Sequence, residues 1–289
     1  MPRVKEIDPS SPLGLALRFQ VPARRKRRRP RRPRAQRHPL TIERQFQSET
    51  RAVVAETEDI IRVSVLPELP DLERRAEAGD PLWPAAVAAL FAAAGLQWEE
   101  RSEQASAIAE VAAIEVSTFN RVQVGKQLTS IVGVDLMPEG RRTASLIESF
   151  VGEINPRIKD LGAQQIAEIR GIVSRGMQAG RRAADVGKEI QERFAINERR
   201  AKFIARNELS TLNAQFTKDR QTELGIGQYI WRTSRDERVR TTHARLEGTL
   251  QSWDDPPPVG GGRHLHPGED FNCRCTAEPA IPGVTIPVA

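Results

Sequence analysis

"QYIWRTSRDERVRTTHARLEG", residues 228–248, is where this chain stops reading as helix. "QYIWRT" alternates and is rich in aromatic and β-branched residues, which predicts a strand. "SRDE" reads as a turn, and "RVRTTHARLEG" as a short helix ended by Gly248. Upstream, "ERRAKFIARNELSTLNAQFTKDRQTELGI" follows Asn197, a good cap, and runs without proline or glycine as far as Gly225. It predicts one long helix whose core face is Phe203, Leu209, Leu212 and Phe216. Downstream, "TLQSW" is a second strand, "DDPPPVGGG" is a loop by its proline and glycine content, and "NCRCTAEP" is a short extended run. Helices first and a small strand-containing unit last define an α+β chain, with predominantly helical N-terminal and middle regions.

Working back toward the N-terminus, "NPRIKDLGAQQIAEIRGIVSRGMQAG" is predicted to open with Asn155 as cap and Pro156 at the first helical position. It closes at Gly180, and "AADVGKEIQERF" forms a further short helix. The stretch "PLWPAAVAALFAAAGLQWEERSEQASAIAEVAAIEVSTFNRVQVGKQL" is alanine-rich and therefore helical, with Gly95 read as a joint. Phe91, Leu96, Ile108, Val111, Ile114 and Phe119 are its expected buried residues. Residues 40–66 carry apolar side chains at helical spacing (Ile42, Phe46, Val53, Val54, Ile60, Ile61) and break at "PELPD". The resulting division is a disordered basic arm over 1–40, a helical region over 41–150, an α+β domain over 151–280 and a tail over 281–289.

The net charge is +6, but "RRKRRRPRRPR" at 24–34 carries nine positive charges and leaves the remainder at −3. The protein is thus a nearly neutral body with one strongly basic arm. Arg24, Arg25, Lys26, Arg27, Arg28, Arg29, Arg31, Arg32 and Arg34 are candidate phosphate contacts, suited to sequence-independent, salt-dependent DNA binding. An acidic protein surface is the other partner such a run fits, and a solubilising tail needs no partner. No aromatic residue interleaves with the arginines, so base stacking is not expected there. No run of about 18 apolar residues is present, which predicts no membrane span. The first twenty residues lack an apolar stretch ahead of a small-residue cleavage site, so no secretory signal is expected.

Both cysteines and two of the four histidines fall within "HLHPGEDFNCRC", residues 264–275. Cysteines one residue apart make a poor disulfide, so a reducing compartment with reduced thiols or a metal fits better. In an extended run Cys273 and Cys275 share a face. With His243 and His266, or His264 in place of one of them, they form a ligand set that selects zinc over magnesium or calcium. The other reading, half-buried thiols beside hydrogen-bonded histidines, stays open on spacing alone. No P-loop, G-x-S-x-G or H-E-x-x-H is present, and no catalytic residue is assigned.

Taken in order, these motifs resemble the phage Mu gpF-like minor head proteins, also called the SPP1 gp7 head morphogenesis family. The elements are Trp231 and Thr233, then Asp236, Arg238, Val239 and Arg240, then His243, Leu246 and Gly248, and finally His266, Pro267, Cys273, Arg274 and Cys275. The helix before them carries Arg206, Glu208 and Asn213 as in that family's A-R-x-E segment. "GEDFN" is inserted between H-P and C-R-C, which lengthens the loop. The resemblance covers about residues 155–280. It implies a minor capsid protein acting in head assembly at the portal vertex, with portal and other head proteins as partners. The virion, after assembly in the bacterial host cytoplasm, is its implied place. Related domains in toxin-like settings imply the alternative of an enzyme, a metal-dependent nuclease or an ADP-ribosyltransferase-like protein.

Overall fold

The computed structural model describes residues 4–19, 35–103, 106–133, 136 and 139–282. The run at 24–34 lies outside the described residues. Eight α-helices are described: α1 Pro12–Phe19, α2 Leu40–Ser64, α3 Leu69–Glu77, α4 Trp83–Ser102, α5 Ser106–Val132, α6 Thr143–Gln178, α7 Ala183–Glu223 and α8 Thr241–Ala244. Five short strands complete them: β1 Gln228–Arg232, β2 Leu250–Ser252, β3 Pro258–Gly260, β4 Arg263–His264 and β5 Thr276–Pro279. The α+β class read from the sequence is the observed one. No described helix is long and apolar enough to cross a membrane.

The chain forms two compact units, one of residues 1–42, 112–149 and 207–289, the other of 43–111 and 150–206. In the second, Val54, Leu161 and Ala201 form a core cluster flanked by Ile204. Trp98 fits against the backbone of α6 at Gly162, where an added Cβ would lie 2.3 Å from the indole ring. Its Nε1 donates to the Lys159 carbonyl at 3.1 Å. Thr57 and Gln165 pair at 2.7 Å in the same interior. Small residues let these helices approach closely, with the Gln165 oxygen paired and its Nε2 left without a partner.

In the first unit, β1 is the central strand of a three-stranded antiparallel sheet ordered β2-β1-β5. Tyr229 faces Gln251 on one side and Pro279 on the other, and Trp231 faces Ala277. A β3-β4 hairpin turns through Gly260, Gly261 and Gly262, all at positive φ. Such a backbone conformation suits glycine because a Cβ would be strained there. Tyr229, Trp231, Trp253, Val259, Cys273, Cys275 and Ala277 make the core of this domain. A second cluster joins Leu13, Val124 and Leu128 to Leu224, Ile226 and Ile281, which brings α1 and α5 to the C-terminal segment.

Four local expectations are corrected. Pro156 lies inside α6, not at its start, and Asn155 caps nothing. The buried stripe Phe150, Ile154, Ile158 and Leu161 continues across it, so packing offsets the roughly 3 kcal/mol an interior proline costs. Gly95 is interior to α4, with Ala94 and Trp98 buried on either side. Residues 183–194 and the segment after Asn197 are one helix, α7, in which Asn197 is buried instead of capping. Phe203, Leu96, Val111 and Ile114 are exposed, while Ala109, Ala112, Ala113, Ala201 and Ala205 are buried. Alanines take the inward positions because they let helices close up.

Candidate metal centre

His243 sits on α8, a single turn that starts after Arg240 in extended conformation. Gly248, at φ 76°, ends the following turn and donates its N–H to the Trp231 carbonyl at 2.9 Å. This bond ties the His243 turn to β1. Cys273 and Cys275 lie just before β5 instead of within a strand. The one-residue spacing still directs both sulfurs to one side. Arg274 between them reaches Asp236 at 2.5 Å instead.

The imidazole Nδ1 of His243 stands 3.5 Å from Cys273 Sγ and 3.6 Å from Cys275 Sγ. The three ligand atoms lie within 4.8 Å of one another, and all three residues are buried. Nε2 faces Asp270 Oδ2 at 3.1 Å. The Trp231 ring stands edge-on to the imidazole, 5.5 Å between centroids. A backbone amide, that of Cys275, approaches Cys273 Sγ at 3.4 Å. Ser210 on α7 donates to the Cys273 carbonyl at 2.5 Å, and Asn207 accepts the Asn272 N–H at 3.0 Å. The loop is thereby latched to a helix at two points three residues apart.

The two thiols, side by side and buried, are shifted in opposite directions. Cys273 is pushed down to about 5, first by the Cys275 thiol and also by the neighbouring His243 ring and backbone amides, against the opposing effect of burial. Cys275 moves up because it donates to Cys273 and because it is buried. His243 is raised, first by Cys273 beside Nδ1 and also by Asp270 at Nε2, while burial lowers it. A thiolate beside an imidazole with a carboxylate behind it is a set of groups arranged for a cation.

The remaining sequence candidates are placed elsewhere. His266 is not in the cluster: its Nδ1 pairs with the Tyr229 hydroxyl at 2.9 Å and its Nε2 with Lys218 Nζ at 3.2 Å. His264 is exposed, with Nδ1 near the Pro256 carbonyl at 3.0 Å. The expected four-ligand set therefore reduces to His243, Cys273 and Cys275, with no second histidine. Pro267 and Cys275 line a pocket of only about 10 Å³. Arg206 pairs with Glu43 at 2.9 Å, and Glu208 accepts from Asn207 at 3.3 Å. Asn213 accepts from Asn120 at 3.0 Å, inside a buried network in which Asn120 Oδ1 also receives Arg220 at 2.7 Å. Thr233 binds Glu247 through both N–H and hydroxyl. Arg238 is exposed, its N–H bonded to Asp236 at 3.1 Å.

Sequence reasoning did not single out Asp270, Asn207 or Ser210; the i, i+3 placement of Asn207 and Ser210 on α7 is the signal the sequence offers for those two.

Together these features define a mainly helical protein that ends in a small antiparallel domain built around a buried His-Cys-Cys cluster. Residues 167–278 match the family described as Phage Mu protein F like protein, in agreement with the resemblance read from the motifs. An uncharacterized protein of Haemophilus influenzae is 33% identical over 186 residues, 63% of this chain. The aligned region is 40% of that relative's length. No solved structure matches the chain.

Proposed function

We propose that this chain is a phage head morphogenesis protein whose C-terminal domain is tied together by zinc. The observation that carries the metal is the spacing of the cluster. Zinc takes thiolate sulfur at about 2.3 Å and imidazole nitrogen at about 2.0–2.1 Å, so tetrahedral angles separate the two by roughly 3.5–3.6 Å. The distances found are 3.5 and 3.6 Å. His243 through Nδ1, Cys273 and Cys275 are the residues that would hold the ion. When bound, it would neutralise the thiolates and join α8, the loop and β5, in a domain whose strands are only two to five residues long.

Three protein ligands leave one position for a water, as in catalytic zinc sites, and this favours the enzyme reading to that extent. Against it, His243, Cys273 and Cys275 are all buried, at 2%, 3% and 7% exposed, which leaves a substrate little access to the ion. The assembly reading rests on the family match over 167–278. Within it the protein acts at the portal vertex with other head proteins and enters the virion. The arm at 24–34 then contacts packaged DNA through phosphates.

Elemental analysis of purified, tag-free protein beside the Cys273→Ser, Cys275→Ser double variant tests the metal. Near-stoichiometric zinc in the first and none in the second is expected; no metal in fresh reduced protein refutes it. Deleting 24–34 is expected to weaken DNA association and flatten its salt dependence with an unchanged circular dichroism spectrum. Unaltered binding at moderate salt would sink the DNA assignment. Co-purification with the portal protein of the same phage tests the head reading.

A further inference from the structure

The metal reading uses His243, Cys273 and Cys275 but leaves unexplained the segment that separates His266 and Pro267 from the cysteines, residues 268–272. Its backbone and side chains are held at several points. Gly268 adopts φ 92° and approaches Ala214 on α7 so closely that a Cβ would stand 2.8 Å from the alanine methyl. Glu269 accepts the His266 N–H at 2.7 Å. Asn272 takes φ 52° and donates its N–H to Asn207. Between them Asp270 is turned inward and is 1% exposed.

The two oxygens of Asp270 share the Arg263 guanidinium, whose Nη2 stands 3.5 Å from Oδ2, and differ in their other partners. Oδ1 receives the Arg263 guanidinium and, at 2.9 Å, the Phe271 N–H. Oδ2 faces His243 Nε2 at 3.1 Å, with Arg240 Nη1 at 3.5 Å. Arg240 also donates to the Phe271 carbonyl at 2.7 Å, and Arg263 lies over the Phe271 ring at 5.6 Å. Two arginines thus keep a buried carboxylate charged and fixed in direction, which burial alone would oppose.

We propose that Asp270 is the positioning residue of the metal centre: it accepts the Nε2–H of His243 and so leaves Nδ1 as the bare nitrogen facing both sulfurs. A neutral imidazole carries its proton on one nitrogen, and the partner of that nitrogen decides which. An acceptor-only carboxylate at Nε2 selects the Nε2–H tautomer. It also fixes the ring plane and raises the basicity of the other nitrogen. Arg240 and Arg263 act one step further out, by holding Asp270. This inference rests on the metal reading above. Its competitor is that Asp270 only anchors the loop to the two arginines, in which case His243 would be indifferent to it.

The test uses the full chain and zinc itself. Zinc affinity is measured by competition with a chromophoric chelator for wild type and Asp270→Asn, and nitrogen-detected NMR of wild type reads the His243 ring. Expected are an affinity about 10- to 100-fold weaker in the variant with unchanged stoichiometry, and a wild-type His243 protonated on Nε2. Equal affinities in the two proteins overturn the inference and leave the metal site standing. Wild-type protein that takes up no zinc overturns the metal reading, and the inference falls with it. Should Asp270→Asn not fold, the wild-type spectrum decides, since a proton on Nδ1 contradicts the proposed role.

Discussion

Substituting Gly162 by alanine should destabilise the protein, although the same change elsewhere on the same helix should stabilise it. The added Cβ would lie 2.3 Å from two carbons of the Trp98 indole and 2.8 Å from the Thr57 methyl. Carbon atoms pack at about 3.5–4.0 Å, so the ring must retreat by more than about 1 Å. Trp98 is 3% exposed, and its Nε1 is bonded to the Lys159 carbonyl, so the ring has no open direction. Overpacking of this kind costs about 1–3 kcal/mol, and helix propensity returns somewhat under about 1 kcal/mol. The net is a loss of up to about 2 kcal/mol. Gly152, also on α6, is exposed and has nothing within 4 Å of its ideal Cβ, so Gly152→Ala should gain about 0.5–1 kcal/mol. Urea unfolding followed by far-ultraviolet circular dichroism measures both. Shifts of the same sign, or a stabilised Gly162→Ala, would refute the packing of Trp98 onto α6.

The other predictions concern charge and metal. Arg232, with a side chain 8% exposed, is bound bidentately by Glu278 at 2.9 and 3.1 Å and stands 3.5 Å from Glu247. Glu278→Gln should therefore cost about 3 kcal/mol in urea unfolding, the low end for an orphaned buried charge because Glu247 remains; a cost below about 1 kcal/mol contradicts the buried pair. Burial lowers the pKa of His266, with the Lys218 charge acting in the same direction and Glu269 against it. The unfolded state then binds the proton more readily, so this contribution is intact above about pH 6.5 and is lost as pH falls from there through the folded-state value. Unfolding midpoints between about pH 5 and 8 should fall less steeply on the acid side in His266→Gln than in wild type, and parallel curves reject the assignment. A strong chelator should lower the thermal midpoint of wild type but leave the Cys273→Ser, Cys275→Ser variant unmoved, and an equal response in both would count against the zinc tie.

The order of elements was legible because it depends on local chemistry. The change of period at residue 228 marked the start of the sheet, and Gly248 marked the end of the turn that follows α8. The shared side of Cys273 and Cys275 was also open to reading, since cysteines one residue apart need only an extended backbone to share a face. Helix ends were less legible. A proline at 156 and a glycine at 95 are local signals for a break, and burial of Ile154, Ile158, Ala94 and Trp98 outweighs them.

What the sequence determined by itself is the α+β class, the charged arm's composition and the two ligand types, histidine and cysteine, gathered near the C-terminus. Only the tertiary structure decided which histidine meets the thiols. His243 and His266 are chemically identical in the sequence, and their roles separate because Asp270 is set against the Nε2 of one and Tyr229 and Lys218 against the ring of the other. It likewise decided that alanines, not Val111 or Ile114, face inward, and that α5 supplies Asn120 to the buried network around Arg220. Periodicity tells which residues share a face, but the partner of that face is fixed by fit and by the pairing of buried polar groups over separations of 27 to 100 residues.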